Sequence, residues 1–328
     1  MVRFSVIVPL YNKAPYIRKA LESILTQTYT NYEVVIVDDG STDGSQDVVR
    51  DFVRNDGMSR LRLNEPLTLN DERLKILTQS NSGVAVARNN GVAASKGEYV
   101  CFLDADDWWE PTFLDEMDRL IHEYPDAGLY GCDYYYVKNG KKKIYPKNAE
   151  GYIDYCKVYT DCKAMPIHPN GAIIPRKAFD EVGGFDPSIK MGEDFILFMQ
   201  IVFKHKVAFL NKQLVTFNQD ADPKWRAITK LHKPEHHMLW HVKQWENEEK
   251  TNASYKAMID MLRVIGLMNY WLNDEYHDAA KEELTKVDRS NQTKAAKAQY
   301  EKPIWLIKTK RRIMQIGSYI KQKLIKAL

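Results

Sequence analysis

Two carboxylates one residue apart, Asp104 and Asp106, directly follow the apolar run Glu98 to Leu103 and precede a helix start at Pro111. A run of that kind reads as a central strand, and polar residues just past its end face the place where open parallel sheets bind ligands. Carboxylates alone repel a diphosphate. A divalent cation between them reverses the sign of the interaction, so this pair could take Mg²⁺ or Mn²⁺ together with a phosphorylated ligand. A second Asp-x-Asp, Asp220 with Asp222, lacks the strand context. Other strand ends are also polar: Pro9-Leu10-Tyr11-Asn12, Asp38-Asp39-Gly40-Ser41 and Gln79 to Gly83. None carries a Gly-rich dinucleotide or P-loop fingerprint. A further acidic pair, Glu193-Asp194, opens an apolar helix after Gly192. There a carboxylate either caps the helix and answers its dipole or removes a proton from a hydroxyl.

The elements that must position these residues alternate. Strand-like runs at Phe4 to Val8, Glu33 to Val37, Leu74 to Leu77 and Glu98 to Leu103 are separated by helical periodicities, of which Ile17, Ala20, Leu21, Ile24 and Leu25 is the clearest. Helices are also expected around Val48 to Val53, over Gly83 to Ala94 and over Pro111 to Tyr124. This is the βαβ pattern of a mostly parallel sheet flanked by helices, an α/β class. The stretch 55–72 reads as a surface insertion. Strands are expected at Ala127 to Val137, Asn170 to Ile174, Val207 to Leu210 and Leu214 to Phe217, with Asn139-Gly140 as a hairpin turn and an apolar helix from Gly192. Beyond about Lys224 the pattern is helical and charged. The expected division is a domain over 1–222, whose pattern changes at about residue 125, and a helical C-terminal region over 223–328.

The chain has 328 residues, 44% hydrophobic and 28% charged, enough for a sizeable core. Net charge is +3. Eight basic and no acidic residues fall after Glu301, so the body is mildly acidic, which argues against nucleic acid as a partner. The cysteines Cys101, Cys132, Cys156 and Cys162 have no C-x-x-C spacing. With no secretory signal and no apolar run approaching about 18 residues, a reduced, cytoplasmic location is expected.

Five stretches in this order resemble the inverting glycosyltransferases of family 2, which have the GT-A fold: SVIVPLYN at 5–12, VIVDDGSTDGS at 35–45, NSGVAVARNNG at 81–91, YVCFLDADD at 99–107, and GGFD at 183–186 followed by GED at 192–194. The resemblance covers about residues 3–220 and implies that 1–222 is a catalytic domain with a donor half to about residue 125 and an acceptor half over 126–222. It implies a metal-dependent transfer of sugar from a nucleotide donor, UDP above others, to a saccharide or lipid-linked acceptor, in surface polysaccharide synthesis. Pro9 and Tyr11 then match the wall of the nucleobase pocket, and Asp39 the acceptor of a uracil hydrogen bond. Asp104 matches the residue near the ribose and Asp106 the metal ligand. Arg88 matches a donor-side residue, or on its own chemistry a salt bridge to a strand-end Asp. Asp194 matches the catalytic base, consistent with inversion needing one carboxylate to take the acceptor's proton. Trp108 could stack on an acceptor sugar, and Glu193 is a second acceptor-side candidate. An inactive sugar- or nucleotide-binding scaffold is the alternative reading. A nucleotidyltransferase would want a glycine-bearing loop where Pro9-Leu10-Tyr11-Asn12-Lys13 stands.

Weaker signals are the histidines 232, 236, 237 and 241 on an expected helix, Trp225-Arg226 as a loop over the donor, and the tail 302–328. In that tail apolar residues such as Trp305 and Ile313 alternate with Lys308, Arg311 and Lys321. It could lie on an anionic membrane, pack on the enzyme body or meet a second copy of the chain.

Overall fold

In the computed structural model, the described residues are 2–53, 73–222, 230–292, 294–310 and 313. The insertion 55–72, Trp225-Arg226 and most of the tail lie outside them. The chain divides into two compact units, residues 1–242 and 243–328.

The first unit is built on strands β1 (Phe4–Leu10), β2 (Tyr32–Asp38), β3 (Leu74–Thr78) and β4 (Tyr99–Phe102), alternating with helices α1 (Ile17–Leu25), α2 (Ser45–Asp51) and α3 (Val84–Ala94). A two-residue strand β5 (Trp108–Trp109) and α4 (Phe113–Glu123) follow. Then come β6 (Ala127–Lys138), β7 (Lys141–Lys143), β8 (Gly151–Ile153), α5 (Tyr155–Cys162), β9 (Ala172–Pro175), α6 (Arg176–Val182), α7 (Glu193–Val202), β10 (Lys206–Asn218) and α8 (Met238–His241). The sheet runs β3-β2-β1-β4-β9-β6-β10-β5. β1 to β4 are mutually parallel. β9 is antiparallel to both β4 and β6, and β6 and β10 are parallel. The reversed β9 thus sits between parallel strands, and the short strands β5, β7 and β8 also run antiparallel to their partners.

Every residue of β1, β2 and β4 is buried, as their continuous apolar runs require of strands covered on both faces. α1 buries the five residues its periodicity marks. α3 approaches the sheet more closely still, because Gly91 lies against Ile7 and Val37. A Cβ at Gly91 would run into Ile7 Cγ2, so the helix gains contact by having no side chain there. Gly91→Ala is expected to lower the urea midpoint with its slope unchanged: overpacking costs about 1–3 kcal/mol, against a helix-propensity gain of no more than about 1 kcal/mol.

Two expectations change. The runs at 207–210 and 214–217 form one strand, β10, whose register shifts around Leu210 and Gln213 absorb the polar residues between them. Asn170 does not begin a strand; it sits in the 3₁₀ turn Pro169–Gly171 just before β9. The Asn139-Gly140 turn is present, both residues at positive φ (53° and 68°), and closes the β6–β7 hairpin.

The second unit is helical: α9 (Glu246–Thr251), α10 (Ala253–Gly266), α11 (Met268–Trp271), α12 (His277–Thr285) and α13 (Lys294–Glu301), with residues 304–310 also helical. Breaks fall at Asn252, which caps α10 through Tyr255 N–H, at Asn273-Asp274 and at Pro303. Arg263, 1% exposed, is held by both oxygens of Glu249 (2.6 and 3.0 Å) and by Glu283 (3.2 Å), so its charge is buried but paired. No described helix is long and apolar enough to cross a membrane.

Candidate active site

The carboxyl ends of β1, β2 and β4 open into a cleft of about 540 Å³, lined by Pro9, Tyr11, Lys13, Asp39, Arg88, Asp104 and Asp106, with Glu193 and Phe217 from the later half of the unit. Each lining residue owes its place to a strand end or a helix start. Asn12 turns the chain out of β1 at φ 52°, and its side-chain oxygen accepts from Thr42 N–H at 2.8 Å, tying the β1 loop to the β2 loop. Asp39, just past β2, accepts from Gln79 Nε2 (2.8 Å), Ser82 N–H (2.7 Å) and Gly83 N–H (2.9 Å). These three bonds fix its carboxylate at the cleft wall and leave lone-pair capacity for one more donor.

Asp104 accepts from Arg88 at 2.8 Å, and Arg88's other terminal nitrogen reaches Glu193 at 3.0 Å. The guanidinium therefore ties the β4 end to the start of α7. Burial opposes the Arg88 charge, but Asp104 and Glu193 outweigh it and hold the group protonated. Burial likewise opposes ionisation of Asp104, and Arg88 overcomes it, so this carboxyl lies below its ordinary value. Arg88 is thus the salt bridge to a strand-end Asp, while still lining the cleft.

Asp106 faces a different balance. Burial, aided by repulsion from Asp104, raises its carboxyl above the ordinary value despite Lys13, whose ammonium lies 2.5 Å away. The position draws a cation already. Among the described residues no three His, Cys, Asp or Glu side chains converge to hold a metal by themselves. Asp106 with Asp104 nearby suits an Mg²⁺- or Mn²⁺-type ion that takes one or two protein carboxylates and its remaining ligands from phosphate and water. On that donor chemistry the residues fit such a cation.

Asp107 braces the loop instead of facing the cleft. It accepts from Asn218 N–H (2.7 Å) and from the Asn170 carboxamide, and burial together with its acidic neighbours raises its carboxyl well above the ordinary value. Asn170 also accepts from Asp104 N–H at 3.0 Å, and its backbone carbonyl takes the Trp109 indole N–H at 2.6 Å. It clamps the whole Asp104–Trp109 loop. Sequence reasoning missed it, as it missed Lys13.

Asp194 lies one residue beyond Glu193, its carboxylate accepting from Phe195 N–H at 2.7 Å. It makes no ion pair among the described residues. Burial raises its carboxyl, with Arg88 acting against the shift. Burial and the Asp194 charge raise Glu193 further, to about 7. Glu193 is the kind of carboxyl that can hold or take a proton near neutrality. Trp108 is not in the cleft lining; it sits on β5 with the Lys19 ammonium 3.0 Å from its ring centre. The four histidines do not converge either. His236 bonds Ser188 O (2.8 Å), His241 bonds Glu235 O (2.8 Å), and His237, pushed down to about 4 by burial, accepts from Leu239 N–H; only His232 lines the cleft.

The sequence profile of glycosyl transferase family 2 matches residues 5–183. GlyA, a glycosyltransferase of Streptococcus pneumoniae, is 29% identical over 303 residues, covering 88% of this chain and 38% of GlyA. GgaA of Bacillus subtilis, a minor teichoic acid biosynthesis protein, is 29% identical over 210 residues, covering 62% of this chain and 44% of GgaA. The chain thus spans under half the length of these relatives. Among solved structures, residues 1–349 of Staphylococcus aureus TarS in complex with UDP-GlcNAc superpose with a TM-score of 0.69 at 20% identity, covering 88% of this chain and 82% of that one. The mannosyltransferase PcManGT of Pyrobaculum calidifontis, in complex with GDP-Man and Mn²⁺, gives 0.59 at 21% identity, covering 99% and 84%. The matched motifs, the mostly parallel sheet and these likenesses place the chain in glycosyl transferase family 2, with the GT-A fold.

Proposed function

We propose that the chain transfers a sugar from a nucleoside-diphosphate donor, a UDP-sugar in preference to others, to a hydroxyl of a saccharide or lipid-linked acceptor, with inversion and with a role in surface polysaccharide synthesis. The observation that carries this reading is one cleft in which Asp39, Asp104 and Asp106 line the donor side while Glu193, next to Asp194, stands opposite, joined to Asp104 through Arg88. The UDP-GlcNAc and GDP-Man complexes of the two structural neighbours support it.

In this reading Pro9 and Tyr11 flank the base, and Asp39 accepts a hydrogen bond from a ring N–H. A divalent cation at Asp106, when bound, would neutralise charge on the departing diphosphate. Lys13 lies beside the same carboxylate and supplies a further positive charge there. Arg88 keeps Asp104 and Glu193 in place. Asp194, ionised, takes the proton of the acceptor hydroxyl as its oxygen attacks the anomeric carbon opposite the leaving diphosphate.

Thermal shift with a panel of UDP-, GDP-, CDP- and dTDP-sugars in Mn²⁺ tests the donor assignment. UDP-sugars are expected to raise the melting temperature most, since a ligand that binds only the folded state stabilises it. Equal response to every nucleotide, or to none, would overturn the assignment.

A further inference from the structure

Phe217 of β10 lines the cleft and is directly in register with Tyr136 of β6. Partners in register share a face of the sheet, and so do residues two apart along a strand. Tyr136 therefore continues the Phe217 surface outward into the β6–β7 hairpin, where its ring stacks on Tyr145 with centroids 4.8 Å apart and planes 11° from parallel. Tyr145 is 45% exposed, so much of its ring is open to solvent.

The same face carries charge. Lys143 pairs with Tyr136, and Lys141 pairs with Lys138, two residues beyond Tyr136. All three lysines are exposed, and none makes an ion pair among the described residues. Lys142, on the opposite face, behaves differently: it lies over the Tyr135 ring (4.5 Å) and bonds Glu110 (3.2 Å). The cations left unneutralised are those beside the aromatic strip. The turn that presents them is held rigidly, since both carboxylate oxygens of Asp220 accept from the Asn139 and Gly140 N–H groups at 2.6 and 2.7 Å.

We propose that this hairpin face is the docking surface for the acceptor, and that the acceptor is a linear anionic glycan or polyol chain whose repeats carry phosphodiester groups. The inference rests on the transferase reading above and names the acceptor chemistry that reading leaves open. Flat aromatic rings match the C–H surfaces of sugars and polyols, and ammonium groups match phosphodiester charges. Lys141 and Lys143 lie about 7 Å apart along the strand, a span that one extended polyol phosphate repeat covers. The strip leads back to Phe217, so a chain lying along it delivers its growing end into the cleft.

The test uses the full chain and two probes, poly(glycerol phosphate) and uncharged dextran of similar length. The wild-type protein is expected to bind poly(glycerol phosphate), more weakly as salt is raised because exposed charges are screened, and to bind dextran far less. Reversing the face with Lys138→Glu, Lys141→Glu and Lys143→Glu should weaken the poly(glycerol phosphate) complex at least tenfold, and Tyr145→Ala should weaken it severalfold. Calorimetric UDP affinity should stay unchanged in both variants. Unaltered polymer binding by the triple variant, dextran bound as tightly as the polyanion, or a single-stranded oligonucleotide bound more tightly than either would overturn the proposal. Loss of UDP binding in the wild type would instead remove the transferase reading on which it rests.

Discussion

Asp194→Asn is expected to lower turnover by about 10² to 10⁴ while leaving donor affinity within a few-fold of wild type. The substitution keeps shape and the hydrogen bond from Phe195 N–H but removes the ability to accept a proton. Donor binding should survive because Asp194, next to the lining residue Glu193, bonds none of Asp39, Asp104 and Asp106, its carboxylate accepting from Phe195 N–H, whereas Glu193 is tied to Arg88. The pH profile separates a base from a helix cap. Burial raises the Asp194 carboxyl above its ordinary value, and the base works only when ionised, so wild-type kcat/KM should fall as pH drops through that raised value. In the variant that acid limb should flatten. Turnover within a few-fold of wild type would take Asp194 out of the mechanism, and a matching loss of UDP affinity would leave it a structural cap.

Asp106→Ala should abolish the dependence of UDP binding on a divalent cation. Without the cation the diphosphate meets Asp104 and Asp106 at the β4 end, and each like-charge pair at about 4 Å costs on the order of 4 kcal/mol near a protein surface. Lys13 and Arg88 offset part of this, and Arg88 is already shared by two carboxylates. Calorimetry in Mn²⁺ is expected to give at least about a hundredfold weaker UDP binding for the variant, roughly 2.8 kcal/mol at 1.4 kcal/mol per tenfold. Wild type in EDTA should lose as much. Equal affinity with Mn²⁺ and with EDTA would dismiss the cation.

Residues 1 to about 125 were readable because their information is local. A buried parallel strand must be an apolar run, a helix on its face must repeat at i, i+3, i+4, and Asp39, Asp104 and Asp106 follow such runs directly. Asn170 left no comparable trace: it bonds Asp104 and Asp107 across more than sixty residues, and nothing in Pro169-Asn170-Gly171 announces that. Lys13 was visible as a residue of the first loop, but its pairing with Asp106 exists only once β1 and β4 lie side by side. The histidines misled for the converse reason. Their i, i+4 spacing suits a helix face, but Pro234 opens a 3₁₀ turn and α8 is four residues long, so His236, His237 and His241 each bond a backbone group while His232 lines the cleft. The reversed direction of β9 was equally silent, since a short apolar strand reads alike in either direction.

That strand sets a condition on how the protein is made. β4 pairs with β1 on one side and with β9 on the other, and β9 is encoded about 70 residues after β4. On a ribosome extending at roughly 5–20 residues per second, the first four βα units are out of the tunnel for several seconds while β4, with Tyr99, Val100, Cys101 and Phe102, presents an unpaired edge. During that interval the nascent chain displays an apolar strand able to pair with any neighbour. A chain ending at about residue 125 would keep that edge open permanently and should aggregate, so synthesis of the segment that carries β9 is also what seals the first four βα units.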